Sequence, residues 1–296
     1  MKKVGETNRL SYSSGTLIGN CEAKYVHYKV KKTKIDIDAD NSTEAFNIGK
    51  SFHGVLEDTL HETIEAEALT KLVEDKCKKY ECEGKEALIE AMCRKYYQLN
   101  ELTALQAIHC EYEIKTDVFI GYIDVVMKDK MGNWWIVDLK TAARISPLLL
   151  SKLKRDTQLN LYGSYFQMVA KDLKLDPSKF AGMRYRVTTK AKLIRKSSET
   201  YEGYVQRQMK NIKSYDIAIP RNDKIMDIAR KKHQVSWQRS VELFDGEEPK
   251  QNMTYCDSFF RPCEYWSQCY GETFTKCAKR LVMMDADAFE AEGDLL

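Results

Sequence analysis

Residues 121–141, GYIDVVMKDKMGNWWIVDLKT, place Asp124 and Asp138 in two apolar, β-prone runs and set Lys140 two residues beyond the second aspartate. The Ile, Val, Trp and Tyr content of both runs predicts strands, and Gly132 followed by Asn133 predicts a hairpin turn between them. A hairpin closing about Met131 makes Lys128 oppose Trp134 and Asp138 oppose Asp124. Because side chains alternate along a strand, Asp124, Asp138 and Lys140 then share one face, whereas a one-residue slip sends one aspartate to the other. Opposed carboxylates cost stability, and a divalent cation is the usual partner of clustered hard oxygen ligands. The alternative for the same residues is an ordinary Lys140 salt bridge on a solvated sheet face.

A chain of 296 residues, 43% hydrophobic and 31% charged, fits a soluble globular protein with a sizeable core. The longest uncharged runs fall short of a membrane span, and MKKVGETNRL lacks the apolar centre of a signal peptide, so a cytoplasmic protein with no membrane partner is expected. The formal net charge is +3, unevenly spread: residues 285–296 carry five acids and no base, leaving 47 basic against 39 acidic residues elsewhere. Basic clusters at 29–34, 190–196 and 230–233 suit a phosphate-binding surface or, equally, a solvated helix face, and the acidic end reads as a disordered tail.

Along the chain, Ser13 or Ser14 caps a short helix through Leu17, Ile18 and Tyr25, and a polar loop follows. Residues 43–100 read as a helical block, with Phe46, Phe52, Val55, Leu56 and Leu60 as apolar positions of its first helix. Strands are expected at 107–115, 118–127, 134–139 and within 181–192, and helices at 151–169, 199–214 and 223–243. With no internal repeat or linker, one α/β domain is expected over 1–284, with a core about 105–195 and a cysteine-rich end about 199–280.

This order of features resembles the RecB-like branch of the PD-(D/E)XK nuclease superfamily. The matching residues are GKSFHGVLED with His53, GYID with Asp124, VDLKT with Asp138 and Lys140, and QLNLY with Gln158 and Tyr162. The resemblance implies a restriction-endonuclease-like core: a central mixed β-sheet flanked by helices, with an N-terminal helical block. It also implies that His53, Asp124, Asp138 and the main-chain carbonyl of Leu139 hold Mg²⁺ or Mn²⁺, and that Lys140 orients the attacking water. Gln158 and Tyr162, four apart on one helix face, would border the site. Read without the resemblance, His53 is an inward helix position, and a lone inward histidine is more often a hydrogen-bonded core residue than a metal ligand. Glu57, one turn on, is either its orienting partner or a surface charge, and one of Glu111 and Glu113 can add a carboxylate. Where many relatives carry Arg, GYID has Tyr122, which puts in doubt a DNA contact.

Nine cysteines with no secretory signal point to reduced thiols. Cys77, Cys82, Cys93 and Cys110 read as small buried hydrophobes. Cys256, Cys263 and Cys269 are separated by six and five residues, unlike the paired knuckles of zinc ribbons, and a fourth ligand is Cys21 or Cys277. Thiolates of this kind suit zinc or iron–sulfur alike. Similarity to the iron–sulfur members of the RecB-like branch implies a [4Fe–4S] cluster on Cys21, Cys256, Cys263 and Cys269. The implied activity is a metal-dependent DNA exonuclease acting at single-stranded ends, in recombination, repair or phage DNA processing, with a helicase or recombination protein as partner. The alternatives are a CRISPR spacer-processing nuclease and a non-catalytic iron–sulfur DNA-binding module.

Overall fold

A computed structural model describes residues 9–33, 40–61, 64–256 and 263–270. The acidic segment 285–296 and Cys277 lie outside these residues. The chain divides into two compact units, one of residues 40–234 and one joining residues 1–39 to 235–296.

The smaller unit opens with α1 (Tyr12–Asn20), whose N-terminus is capped by Ser11: its hydroxyl accepts from Ser14 N–H, so Ser13 and Ser14 fall inside the helix rather than capping it. The helix stops at Cys21, which takes an extended backbone and starts the single turn of α2 (Glu22–Tyr25) and a π-helical turn, Val26–Val30. Leu10, Ile18, Tyr25 and Val26 pack with Leu243 and Trp237 from the far end of the sequence. Arg239 adds a bidentate bond to Glu22, 3.0 and 2.8 Å, which lowers the Glu22 pKa.

In the larger unit, α3 (Asp40–Thr59), α4 (Ala66–Lys79) and α5 (Glu86–Thr103) form the expected helical block. Five strands follow: β1 (Gln106–Lys115), β2 (Ile120–Lys128), β3 (Trp134–Ala142), β4 (Phe180–Thr189) and β5 (Ser214–Pro220), side by side in that order. All neighbours are antiparallel except β3 and β4, so the sheet is mixed. One face of the hairpin, Val125, Met127, Val137 and Leu139, packs on Phe52, Leu56 and Ile89 of the helical block and on Val205 of α9 (Tyr201–Asn211).

The stretch read as one helix over 151–169 is three: α6 (Pro147–Arg155), α7 (Thr157–Gly163) and α8 (Phe166–Asp172). Asp156 makes the first break by leaving the helical region, φ −63° and ψ 135°, and accepting Gln158 N–H on its side chain at 2.8 Å. Gly163 lets α7 press on β4, since a Cβ there would stand 2.7 Å from Met183 Sδ. Strand β5 lies in part where the helix 199–214 was expected to end and beyond it, and its pairing with β4 supplies what seven residues ending in Pro220 do not announce. Helix α10 (Asp223–Phe244) matches its expected span, and α11 (Trp266–Tyr270) is a short terminal helix. Among the described residues no helix is long and apolar enough to cross a membrane.

Candidate active site

The hairpin register is the expected one. Lys128 pairs with Trp134 and Val125 with Val137, which sets Asp124 and Asp138 just past the last ladder pair. There the Asp124 carboxylate takes over from the strand: its Oδ2 accepts the Leu139 N–H at 2.6 Å. An ionised side chain thus replaces a carbonyl as acceptor where the β2–β3 ladder ends, midway along β3, which runs on beside β4 to Ala142.

Lys140 lies between two acceptors. Its Nζ is 2.8 Å from Asp138 Oδ2 and donates to Gln158 Oε1 at 3.2 Å, while Gln158 Nε2 donates to the Tyr162 hydroxyl at 3.2 Å. An ammonium only donates, so the amide oxygen of Gln158 must face it and the amide nitrogen the tyrosine. The Asp156 cap fixes Gln158 at the start of α7. Tyr162 is buried, its ring 6.0 Å from Phe119.

His53 arrives from α3, keeping a third of its side chain exposed, with Nδ1 3.9 Å from Asp124 Oδ2 and a hydrogen bond to the Leu139 backbone. Burial pushes its pKa down to about 4, against the opposing pull of Asp138, so the ring is neutral at pH 7 and its nitrogen lone pair is free for a metal. Glu57 is exposed and bears on Cys110 and Glu111, not on His53. Phe46, read as an apolar core position of α3, is 60% exposed. The inward face of α3 is carried by Ile48, Phe52, Val55 and Leu56, and the helical period turns Phe46 and His53 away from it.

Asp124 and Asp138 are both held above the ordinary carboxylate range, chiefly by burial, with the charge of Asp124 adding to the effect on Asp138. Burial opposes the charge of Lys140, but Asp138, Asp124 and Asp156 outweigh it and raise its pKa. Of the two β1 glutamates, Glu111 belongs with this group: burial, Asp124 and Glu57 push it up to about 7. Its backbone is left-handed, φ 53°, between the Cys110–Val125 and Tyr112–Ile123 pairs, a conformation costing an L-residue about 1–2 kcal/mol. Glu113 instead accepts from the Tyr122 hydroxyl at 2.9 Å. Cys110 stands among the same carboxylates, and burial with the nearby Glu57 and Glu111 pushes its thiol up to about 11.

These shifts have a sign. A carboxyl whose pKa is raised by folding stabilises the protein below its unfolded value, near 4, and that contribution is lost as pH rises through the folded value. The metal-free protein is therefore expected to lose stability between about pH 4 and 7 from these three groups. A divalent ion that neutralises them would restore it, so the gain in melting temperature on adding Mn²⁺ should be larger at pH 7.5 than at pH 5.5. Equal gains at the two pH values would show that the carboxylates are not the binding groups.

In the smaller unit, Cys21, Cys256, Cys263 and Cys269 line one cavity together with Lys24, Gln251, Tyr255 and Tyr265. None of the four is in a disulfide. The Cys269 thiol is raised by burial and then by Cys21, Cys263 and Cys256, which marks their proximity. Lys24 forms an ion pair with Glu264 at 2.8 Å and opposes the rise at Cys263. The donor set suits a thiolate-bound metal centre. Among the described residues, however, no three His, Cys, Asp or Glu side chains are drawn into a metal-holding array, here or beside Lys140.

A solved crystal structure, that of SSO0001, is similar at 12% identity with a TM-score of 0.30, over 77% of this chain and 96% of its own. No curated protein matches the chain significantly. The model of the PD-(D/E)XK nuclease superfamily matches residues 9–270. That span includes the hairpin with its two aspartates and lysine on a mixed sheet between helices, and the chain belongs to the PD-(D/E)XK nuclease superfamily.

Proposed function

We propose that the protein is a Mg²⁺- or Mn²⁺-dependent DNA exonuclease of the RecB-like branch, acting at single-stranded ends in recombination, repair or phage DNA processing. The observation that carries this reading is the Lys140 ammonium, fixed by buried Asp138 and by Gln158 beside a second, half-buried carboxylate, Asp124. Two aspartates this close, both raised in pKa, are held at a cost that a binding module would not need.

His53, Asp124, Asp138 and the Leu139 carbonyl would hold the metal, which when bound supplies charge neutralisation at the phosphate and acidifies water. Lys140 donates to an oxygen on the β3 side of the site and stabilises negative charge developing there. Gln158 keeps the ammonium aimed, and Tyr162 holds Gln158. The thiols of Cys21, Cys256, Cys263 and Cys269 would carry a [4Fe–4S] cluster, or zinc, as a clamp between the two ends of the sequence. A helicase or recombination protein is the expected partner.

The test is cleavage of end-labelled single- and double-stranded DNA with Mg²⁺ or Mn²⁺ by anaerobically purified protein, beside Lys140→Ala. Wild type should release short products only with metal, and the variant should be slower by about 10³-fold or more while still binding Mn²⁺. Equal cleavage by both would remove Lys140 from the chemistry. Salt-sensitive DNA binding without cleavage would make the protein a binding module.

A further inference from the structure

On α3, Phe46, Lys50, His53 and Glu57 follow one another at four, three and four residues, and so form a single stripe along the helix. His53 marks where that stripe meets the metal-binding carboxylates. Phe46 lies two turns, about 10 Å, toward the helix N-terminus. It is the one large apolar side chain exposed among residues 44–59 of α3, and Lys50 Nζ sits 4.4 Å from its ring centroid. The core face of the helix is built from Ile48, Phe52, Val55 and Leu56 without it.

The stripe stays close to the reacting end of β3. A Cβ on Gly49, between Phe46 and His53, would be 3.4 Å from Thr141 Oγ1, one residue past Lys140. The Lys190 ammonium donates to the Ala45 carbonyl at 3.1 Å and ties the start of the helix to the end of β4. Positive charge therefore gathers at this side of the site. The opposite side is acidic: Tyr122, two residues before Asp124, is 49% exposed, but its hydroxyl is bound to Glu113, and Glu111 lies two residues before Glu113 within β1. A polyanion leaving the carboxylate cluster is drawn along α3 and repelled from β1.

Resting on the nuclease reading above, we propose that Phe46 is a stacking platform for a nucleobase of a single-stranded substrate, next to the phosphate under attack, and that Lys50 contacts the phosphate linking that nucleotide to the reacting one. Aromatic faces hold unpaired bases regardless of identity, and a neighbouring cation tracks the backbone. Bases already stacked within a duplex have no open face to offer, so the contact favours single strands. Phe46 acts as a positioning residue and leaves the chemical step alone.

Binding is measured by fluorescence anisotropy of labelled oligonucleotides with Mn²⁺ present, in a Lys140→Ala background that does not cleave. Phe46→Ala and Phe46→Leu should each weaken single-strand binding about 10-fold, and Phe46→Trp should bind within about 3-fold of Phe46. Binding to blunt duplex should be unchanged in all three. With Lys140 present, Phe46→Ala should raise KM for single strands about 10-fold with kcat little changed. Leucine performing as well as phenylalanine, or equal losses on single strand and duplex, would overturn the stacking role while leaving the nuclease reading intact. Failure of wild type to cleave or bind any DNA would overturn the nuclease reading and this inference with it.

Discussion

Asp124→Asn should abolish cleavage and at the same time make the metal-free protein more stable. Asparagine keeps an oxygen that can accept the Leu139 N–H, so β3 retains that bond. What it removes is a charge held out of water beside a second one, Asp138. At pH 8, where both carboxylates are already ionised in the unfolded chain and folding must carry the two charges out of water, the gain is on the order of 2 kcal/mol, or roughly 4 °C in melting temperature. Below about pH 3 both aspartates are protonated in either state, and the advantage should vanish. Metal should also erase it, because Mn²⁺ stabilises wild type and binds the variant poorly. Activity should fall by about 10³-fold or more. A variant that melts below wild type at pH 8 without metal would show that the two carboxylates do not strain the fold.

Cys256→Ser and Cys263→Ser are expected to have an equally large effect in the smaller unit. Anaerobically prepared wild type should be brown with about four iron atoms per chain, and each variant should be colourless with less than one. Structural metal centres are worth on the order of 10 kcal/mol to the parts they join, so limited proteolysis should attack residues 9–33 in the variants and spare the core strands β2 to β4. Cys110→Ala, in the larger unit, should keep its iron. Colourless wild type with one zinc per chain would replace the cluster by zinc, and protein with no bound metal would leave four unconnected thiols.

Much of the site is legible because it is built on period-two alternation. The two aspartates sit at mirrored places in a hairpin whose turn is marked by Gly132 and Asn133, and Lys128–Trp134 pairing then fixes the rest. The four cysteines of the smaller unit, far apart in sequence, line one cavity, but their spacing does not say what they hold. Other features depend on energies that no local pattern carries. The apolar run from Leu153 to Val169 reads as one helix because nothing in its periodicity reveals that Asp156 spends its carboxylate as a cap. The left-handed Glu111 is invisible because nothing at that position, neither glycine nor asparagine, advertises it. β5 is short and ends in proline, so only β4 beside it makes it a strand. Phe46 carries the same lesson in reverse: an apolar residue of α3 expected inside stands outside, because its six-residue spacing from Phe52 turns it off the core face.

The discontinuous smaller unit has a consequence for synthesis. Leu10, Ile18 and Tyr25 pack against Trp237 and Leu243, which leave the ribosome about 200 residues later. At about 5–20 residues per second that is a wait of about 10–40 s. Residues 40–234, contiguous in sequence, can close their own core in the interval, while the first segment remains an unpartnered apolar stretch available to chaperones. A message that stalls between the two halves would release a folded nuclease core with a sticky leader.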